Sequence, residues 1–198
     1  MRNRHSAIAS LFAALRAMCK LENTITDVDI AFQQLEFAIK LMCYCELGHL
    51  DIENFDTDVT ILLEKENVGF KTGSFSTKES VARASKIQVG VAFGVSAIIL
   101  DAAYEAAGIR KNINLRTTQG DLQIFVYMIR CAFAHNMATP IWQARGADYA
   151  RAFSLPLETE IKIDLSSRDG EKFDYAHIGG FAQWFKIKDA VLRALRGT

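Results

Sequence analysis

The chain has 198 residues, with 23 basic and 23 acidic side chains and a formal net charge of zero. That balance excludes a protein that coats nucleic acid by bulk charge, while leaving room for a local basic site. Half of the residues are hydrophobic and 10% aromatic, which excludes a disordered chain and allows one sizeable core.

The N-terminus carries Arg2 and Arg4 before an apolar stretch at residues 7–15. Arg16 and Lys20 interrupt that stretch too soon for a secretory signal. Residues 5–21 predict a helix, with Ile8, Leu11, Phe12, Leu15, Met18 and Cys19 at helical spacing. Thr26, with Asp29 three residues on, predicts the cap of a second helix over 27–47. Its apolar stripe is Ala31, Leu35, Ala38, Ile39 and Met42. Glu36 and Lys40 pair on its outer side, and Gly48 stops it. Residues 51–65 predict a short helix carrying Phe55, Val59, Leu62 and Leu63, and 69–76 a loop.

Ser76 with Glu79 marks the start of a long helix over 77–107, ended by Gly108. Gly90 and Gly94, four apart on it, predict a close helix-to-helix approach. Its most apolar run, residues 89–100, is shorter than the about 20 residues of a membrane span. It reads as a core helix of a cytoplasmic protein with no membrane partner. Thr118 with Asp121 predicts the cap of a helix over 119–134. That helix is apolar on two faces: Leu122, Phe125, Val126, Ile129 and Phe133 on one, Ile124, Met128 and Cys131 on the other. Such a helix is either central or sandwiched at a subunit interface. The second face therefore predicts a homodimer, which a near-neutral chain favours further.

The two prolines of the chain are Pro140 and Pro156, and the pattern changes after the first. Residues 158–165 alternate as a strand. Asp169-Gly170 is a hairpin signal, and Phe173 and Tyr175 alternate on a return strand. A lone hairpin is marginal in water, so it must pack on the helices or pair with a further strand, such as 152–157. Gly179-Gly180 then breaks the pattern before an amphipathic helix over 181–195. The expected architecture is mainly α. Residues 1–145 form a helical bundle, and 146–198 add a small β-hairpin and a terminal helix to the same domain.

Cys43 and Cys45 project roughly 200° apart on a helix and cannot share a metal ion. With Cys19 and Cys131 they read as buried, reduced thiols. His5, His49 and His177 have no ligand-spaced partner, so neither a metal site nor a cofactor is expected. Gly-rich phosphate loops and a nucleophile elbow are missing from the sequence. Trp142 and Trp184 read as core or interface anchors rather than base-stacking platforms.

The stretch Arg130-Cys131-Ala132-Phe133-Ala134-His135-Asn136 closes the buried helix with an Arg-x4-His spacing. It resembles the signature of the HEPN superfamily, and residues 34–40 (Q-L-E-F-A-I-K) resemble an early helix of those bundles. The likeness covers about residues 27–140. It implies a HEPN-like four-helix bundle, often homodimeric, and a metal-independent endoribonuclease of toxin–antitoxin, phage-defence or RNA-processing systems. RNA is the implied substrate, with an antitoxin or other protein as an implied partner. The motif roles fall on Arg130 and His135 as catalytic residues, with Asn136 beside them as a substrate contact. Two positions depart from the pattern: Cys131 follows the Arg where many catalytic members have a polar residue, and Met137 stands where one toxin subgroup has a modifiable Tyr.

The chemistry suits those residue types. Cleavage of RNA without metal needs a base for the 2′-hydroxyl proton and donors for the phosphorane-like charge. His changes protonation near neutral pH, and Arg offers a planar fork to phosphate oxygens. Five residues along one helix leave the two side chains roughly 140° apart. Either the helix ends near Ala134, or a two-fold axis brings one chain's Arg130 to the other's His135. A non-catalytic RNA- or nucleotide-binding module and a protein-interaction bundle remain the alternatives.

Overall fold

One helix, α1 (Arg2–Glu46), runs through the stretch where two were predicted. The Thr26 hydroxyl, expected as a cap, donates to the Glu22 carbonyl at 3.1 Å, and Thr24 donates to Lys20 at 2.8 Å. Such back-bonds to the preceding turn let a hydroxyl sit inside a helix without ending it. Gly48, at φ +74°, stops the helix as expected. The structure, a computed structural model, describes residues 2–109 and 116–197, and side chains from residue 19 onward within these. The spacing of Ile8 to Met18 lies outside the described side chains.

The chain divides into two compact units, one of Met1–Phe32 with Phe93–Thr198, the other of Gln33–Ala92. In the smaller unit the end of α1 buries Leu35 and Ala38 and half-buries Ile39 and Met42. Glu36 and Lys40 form the predicted pair. The helix predicted over 51–65 is a correction. It is one turn, α2 (Ile52–Phe55), followed by an antiparallel pair, β1 (Val59–Leu62) and β2 (Asn67–Phe70). The run Val59-Thr60-Ile61 is β-branched and favours extended backbone over helix. Asp56 holds the far end of the hairpin, accepting from the amides of Gly73 at 2.7 Å and Phe75 at 3.1 Å. Helix α3 (Lys78–Ala106) then begins under Thr77, whose hydroxyl accepts from the Ser80 amide at 3.1 Å. The cap sits one residue after the predicted Ser76, and Glu79 takes no part.

The larger unit contains the rest of α3, then α4 (Thr118–Ala134), β3 (Ala152–Leu155), β4 (Ile161–Asp164), a 3-10 turn (Tyr175–Ile178) and α5 (Gly180–Arg196). Thr117, not Thr118, caps α4 through the Gly120 amide at 3.1 Å. An aromatic cluster joins four helices: Phe93 of α3 lies 5.1 Å from both Phe133 of α4 and Trp184 of α5, and Phe32 of α1 stacks on Trp184 at 5.7 Å. Gly94 makes the approach possible, since a Cβ there would stand 2.9 Å from Phe133 Cδ1. Trp142 and Trp184 are both fully buried, as core anchors should be. The fold is mainly helical with two small antiparallel strand pairs.

Strand β4 pairs with β3, the further strand proposed from sequence, and not with 173–175. The Asp169-Gly170 turn exists, but its partners lie upstream. Gly170 donates to the Trp142 carbonyl, Trp142 to Glu171 (both 2.9 Å), and Phe173 to Pro140. Tyr175 opens the 3-10 turn instead of a strand, because Asp174 caps it and His177 completes the capping box. Helix α3 as a whole is long and apolar enough to cross a membrane, with mean hydropathy 1.7 over 18 residues. That window is 61% buried within the protein, which is compatible with a core helix of a soluble protein.

The thiols are a further correction. Cys19 and Cys43 are exposed, Cys45 and Cys131 half-buried, and all four are free. On a long helix, residues two apart cannot share one buried stripe, so Cys43 and Cys45 fall on and beyond its edge.

Candidate functional site

Helix α4 is buried along almost its whole length because residues on both its faces are apolar. Ile124 and Met128, read from sequence as a dimer seam, are each 1% exposed within the single chain. The seam is therefore internal. Phe125, on the opposite face of α4, packs on Phe153 of β3 at 5.8 Å.

A charged pair locks β3 against α4. Asp121, in the first turn of α4, accepts from the Ser154 amide at 2.9 Å and meets Arg151 Nη2 at 2.6 Å. The same guanidinium stacks over Phe153, 4.1 Å from the ring centre. Sequence reasoning took Asp121 for a cap residue. Its real partners lie 30 and 33 positions downstream, beyond any local signal.

The last turns of α4 present Arg130 and then His135. Arg130 is half-buried. Arg116, Arg145, Arg151 and Arg168 each meet a carboxylate. Arg130 has none among the described residues, and its recorded neighbour is the Cys131 sulfur at 4.0 Å. Tyr127 and Tyr149 belong to the same patch, their rings 6.2 Å apart. Hydrogen bonding to Cys131 is the main cause that pushes the Tyr127 phenol up to about 12. Burial and Tyr149 add to the rise, and the Arg130 charge acts against it. Tyr127 was missed from sequence, although its spacing of four from Cys131 places both on one helix face. Tyr149 has no such signal.

His135 caps α4 in helical conformation, φ −98° and ψ −29°, and its ring is exposed. The backbone thus stays helical through His135, so the rotation of about 140° between Arg130 and His135 persists. The chain places the two motif residues on one helix end but aims them in different directions. Asn136 closes the turn that follows, its Oδ1 accepting from the amides of Ala138 at 2.9 Å and Thr139 at 3.0 Å. Its side-chain carbonyl is committed to that turn, and its amide group has no partner among the described residues.

Among the described residues no three His, Cys, Asp or Glu side chains gather as metal ligands. His177 is engaged elsewhere, accepting at Nδ1 from Trp142 Nε1 at 3.0 Å and from the Asp174 amide at 3.2 Å. No protein-family model, no curated protein and no solved structure matches this chain.

Proposed function

We propose that the chain is a metal-independent endoribonuclease of the HEPN kind, with Arg130 and His135 acting on the RNA backbone. The observation that carries the reading is Arg130: a half-buried arginine with no carboxylate partner among the described residues. A charge in that position is left for an anion, and a phosphodiester fits the planar fork. His135 stands exposed one turn beyond it. In the proposed step His135 takes the 2′-hydroxyl proton, the 2′-oxygen attacks phosphorus, and the bond to the 5′-oxygen breaks. The 5′-oxygen leaves with a proton, giving a 2′,3′-cyclic phosphate and a 5′-hydroxyl. Arg130 balances the charge on the non-bridging oxygens. Because the two side chains diverge on one helix, the working site pairs Arg130 of one copy with His135 of a second.

The test is cleavage of labelled RNA in EDTA. Arg130→Ala and His135→Ala should each lower the rate by about a hundredfold or more. If the site is shared, mixing the two variants should restore about a quarter of wild-type activity, through hybrid dimers with one intact site. Full activity in His135→Ala would end the reading. RNA that is bound but left whole would assign the chain to non-catalytic RNA or nucleotide binding.

A further inference from the structure

The two outer edges of the β3–β4 pair are treated differently. Leu165 donates to the Arg151 carbonyl at 3.0 Å. With the register Phe153 to Ile163, this makes 151/165, 153/163 and 155/161 the bonded pairs. Alternation along an antiparallel ladder then turns the N–H and C=O of Ser154 and Ala152, and of Lys162 and Asp164, to the outside. On β3 two of these four groups are capped: Asp121 accepts from the Ser154 amide at 2.9 Å, and Arg151 Nη1 donates to the Ala152 carbonyl at 3.0 Å. On β4 the outward groups of Lys162 and Asp164 have no partner among the described residues.

That open edge borders a cleft of about 620 Å³, lined by all four β4 residues, Arg168, residues 176–179 and Gln183. Three of its donors lack acceptors among the described residues. Gln183 Nε2 is shielded from solvent and unbonded among the described residues. His177 accepts twice at Nδ1, so its proton sits on Nε2, which is left as a donor. Lys162 is a cation with no acidic partner among the described residues, whereas Arg168 is held by Glu171 at 2.7 Å. Asp164, the one carboxylate of the lining, is kept below the usual carboxylate range by the amide and then the hydroxyl of Ser166.

We infer that the β4 edge is a docking site for an extended peptide segment of a partner protein that carries a carboxylate side chain. The peptide backbone adds a third strand through the outward groups of Lys162 and Asp164. Its carboxylate meets Lys162 and the unfilled donors of Gln183 and His177. This is independent of the ribonuclease reading, since none of these residues belongs to the Arg130–His135 patch.

The probe is a labelled pool of seven-residue peptides, each with a central Glu flanked by β-branched residues, read by fluorescence anisotropy on the full chain. Binding should fall about tenfold or more when the central Glu becomes Lys, or when alternate peptide amides are N-methylated. Lys162→Pro removes one outward N–H, at an edge position that proline tolerates, and should lower binding to the same degree. Lys162→Glu keeps that N–H and should shift preference to the Lys-centred pool. If Lys162→Pro fails to fold by circular dichroism, the N-methylated pool carries the backbone test on the wild type. No binding of the Glu pool, or equal binding of the N-methylated pool, overturns the assignment. So does a wild-type dimer dissolved by Lys162→Pro, which would make the occupant a second copy.

Discussion

At the scale of single residues, the patch around Arg130 differs from the rest of the surface in what its neighbours cannot do. Tyr127 and Cys131 lie against the guanidinium, and neither brings it a carboxylate. The Tyr127 phenol reports this environment. Its folded value, about 12, lies above the ordinary value of about 10. The neutral phenol therefore favours the folded state. The contribution is complete below about pH 10 and is lost as the pH rises from there through about 12. Tyr104 and Tyr175 are raised too, both chiefly by burial, and add to the same alkaline loss. Urea midpoints between about pH 9 and about pH 11 should fall for the wild type and fall less for Tyr127→Phe. A parallel decline in both proteins would mean that Tyr127 is not held by Cys131.

At the scale of elements, two contacts decide how α4 is held. Gly94 of α3 faces Phe133, and a methyl there would stand 2.9 Å from Cδ1 and 3.2 Å from Cβ. Alanine gains about 1 kcal/mol over glycine in helix propensity. Overpacking against a ring fixed between Phe93 and Phe173 costs about 1–3 kcal/mol. Gly94→Ala should therefore be net destabilising in a denaturant titration, where an exposed helical glycine would give the opposite sign. The Asp121–Arg151 pair is the second contact, with side-chain exposures of 11% and 15%. Removing one partner leaves the other charge shielded and unpaired, which costs about 3–5 kcal/mol. Asp121→Ala should lower stability by about that amount and speed hydrogen exchange at Ser154, whose amide loses its acceptor. Unchanged exchange there would show that the strand is held by packing alone.

At the scale of the molecule, the burial of Ile124 and Met128 changes what an interface variant would report. Met128→Glu puts a carboxylate at a position 1% exposed in the single chain. It should abolish cooperative unfolding, seen as loss of the near-ultraviolet aromatic signal, whatever the state of association. A folded Met128→Glu that differs from wild type only in sedimentation would restore the seam to the surface. A shared ribonuclease site therefore needs another surface near His135, and hybrid-dimer complementation tests for it without naming that surface.

What the sequence determined alone was local. Helical spacing and chain breaks located α3, α4 and α5 to within a residue or two, because Gly108 and Gly179 require left-handed backbone that other residues resist. The Asp169-Gly170 turn and the Trp142 and Trp184 anchors were legible for the same reason: turn geometry and aromatic burial follow from the residue itself. The Arg130–His135 spacing was legible too, including the divergence of the two side chains. The tertiary structure decided everything that depends on a distant partner. Thr26 reads as a cap until its hydroxyl finds the carbonyl one turn back. Phe173 reads as a return strand until its amide finds Pro140. The second face of α4 reads as a subunit seam although the chain itself buries it. Asp121 shows no role beyond its helix until Arg151 and Ser154 arrive. Periodicity states that a side chain must be covered or a donor satisfied, and only the packed chain states by what.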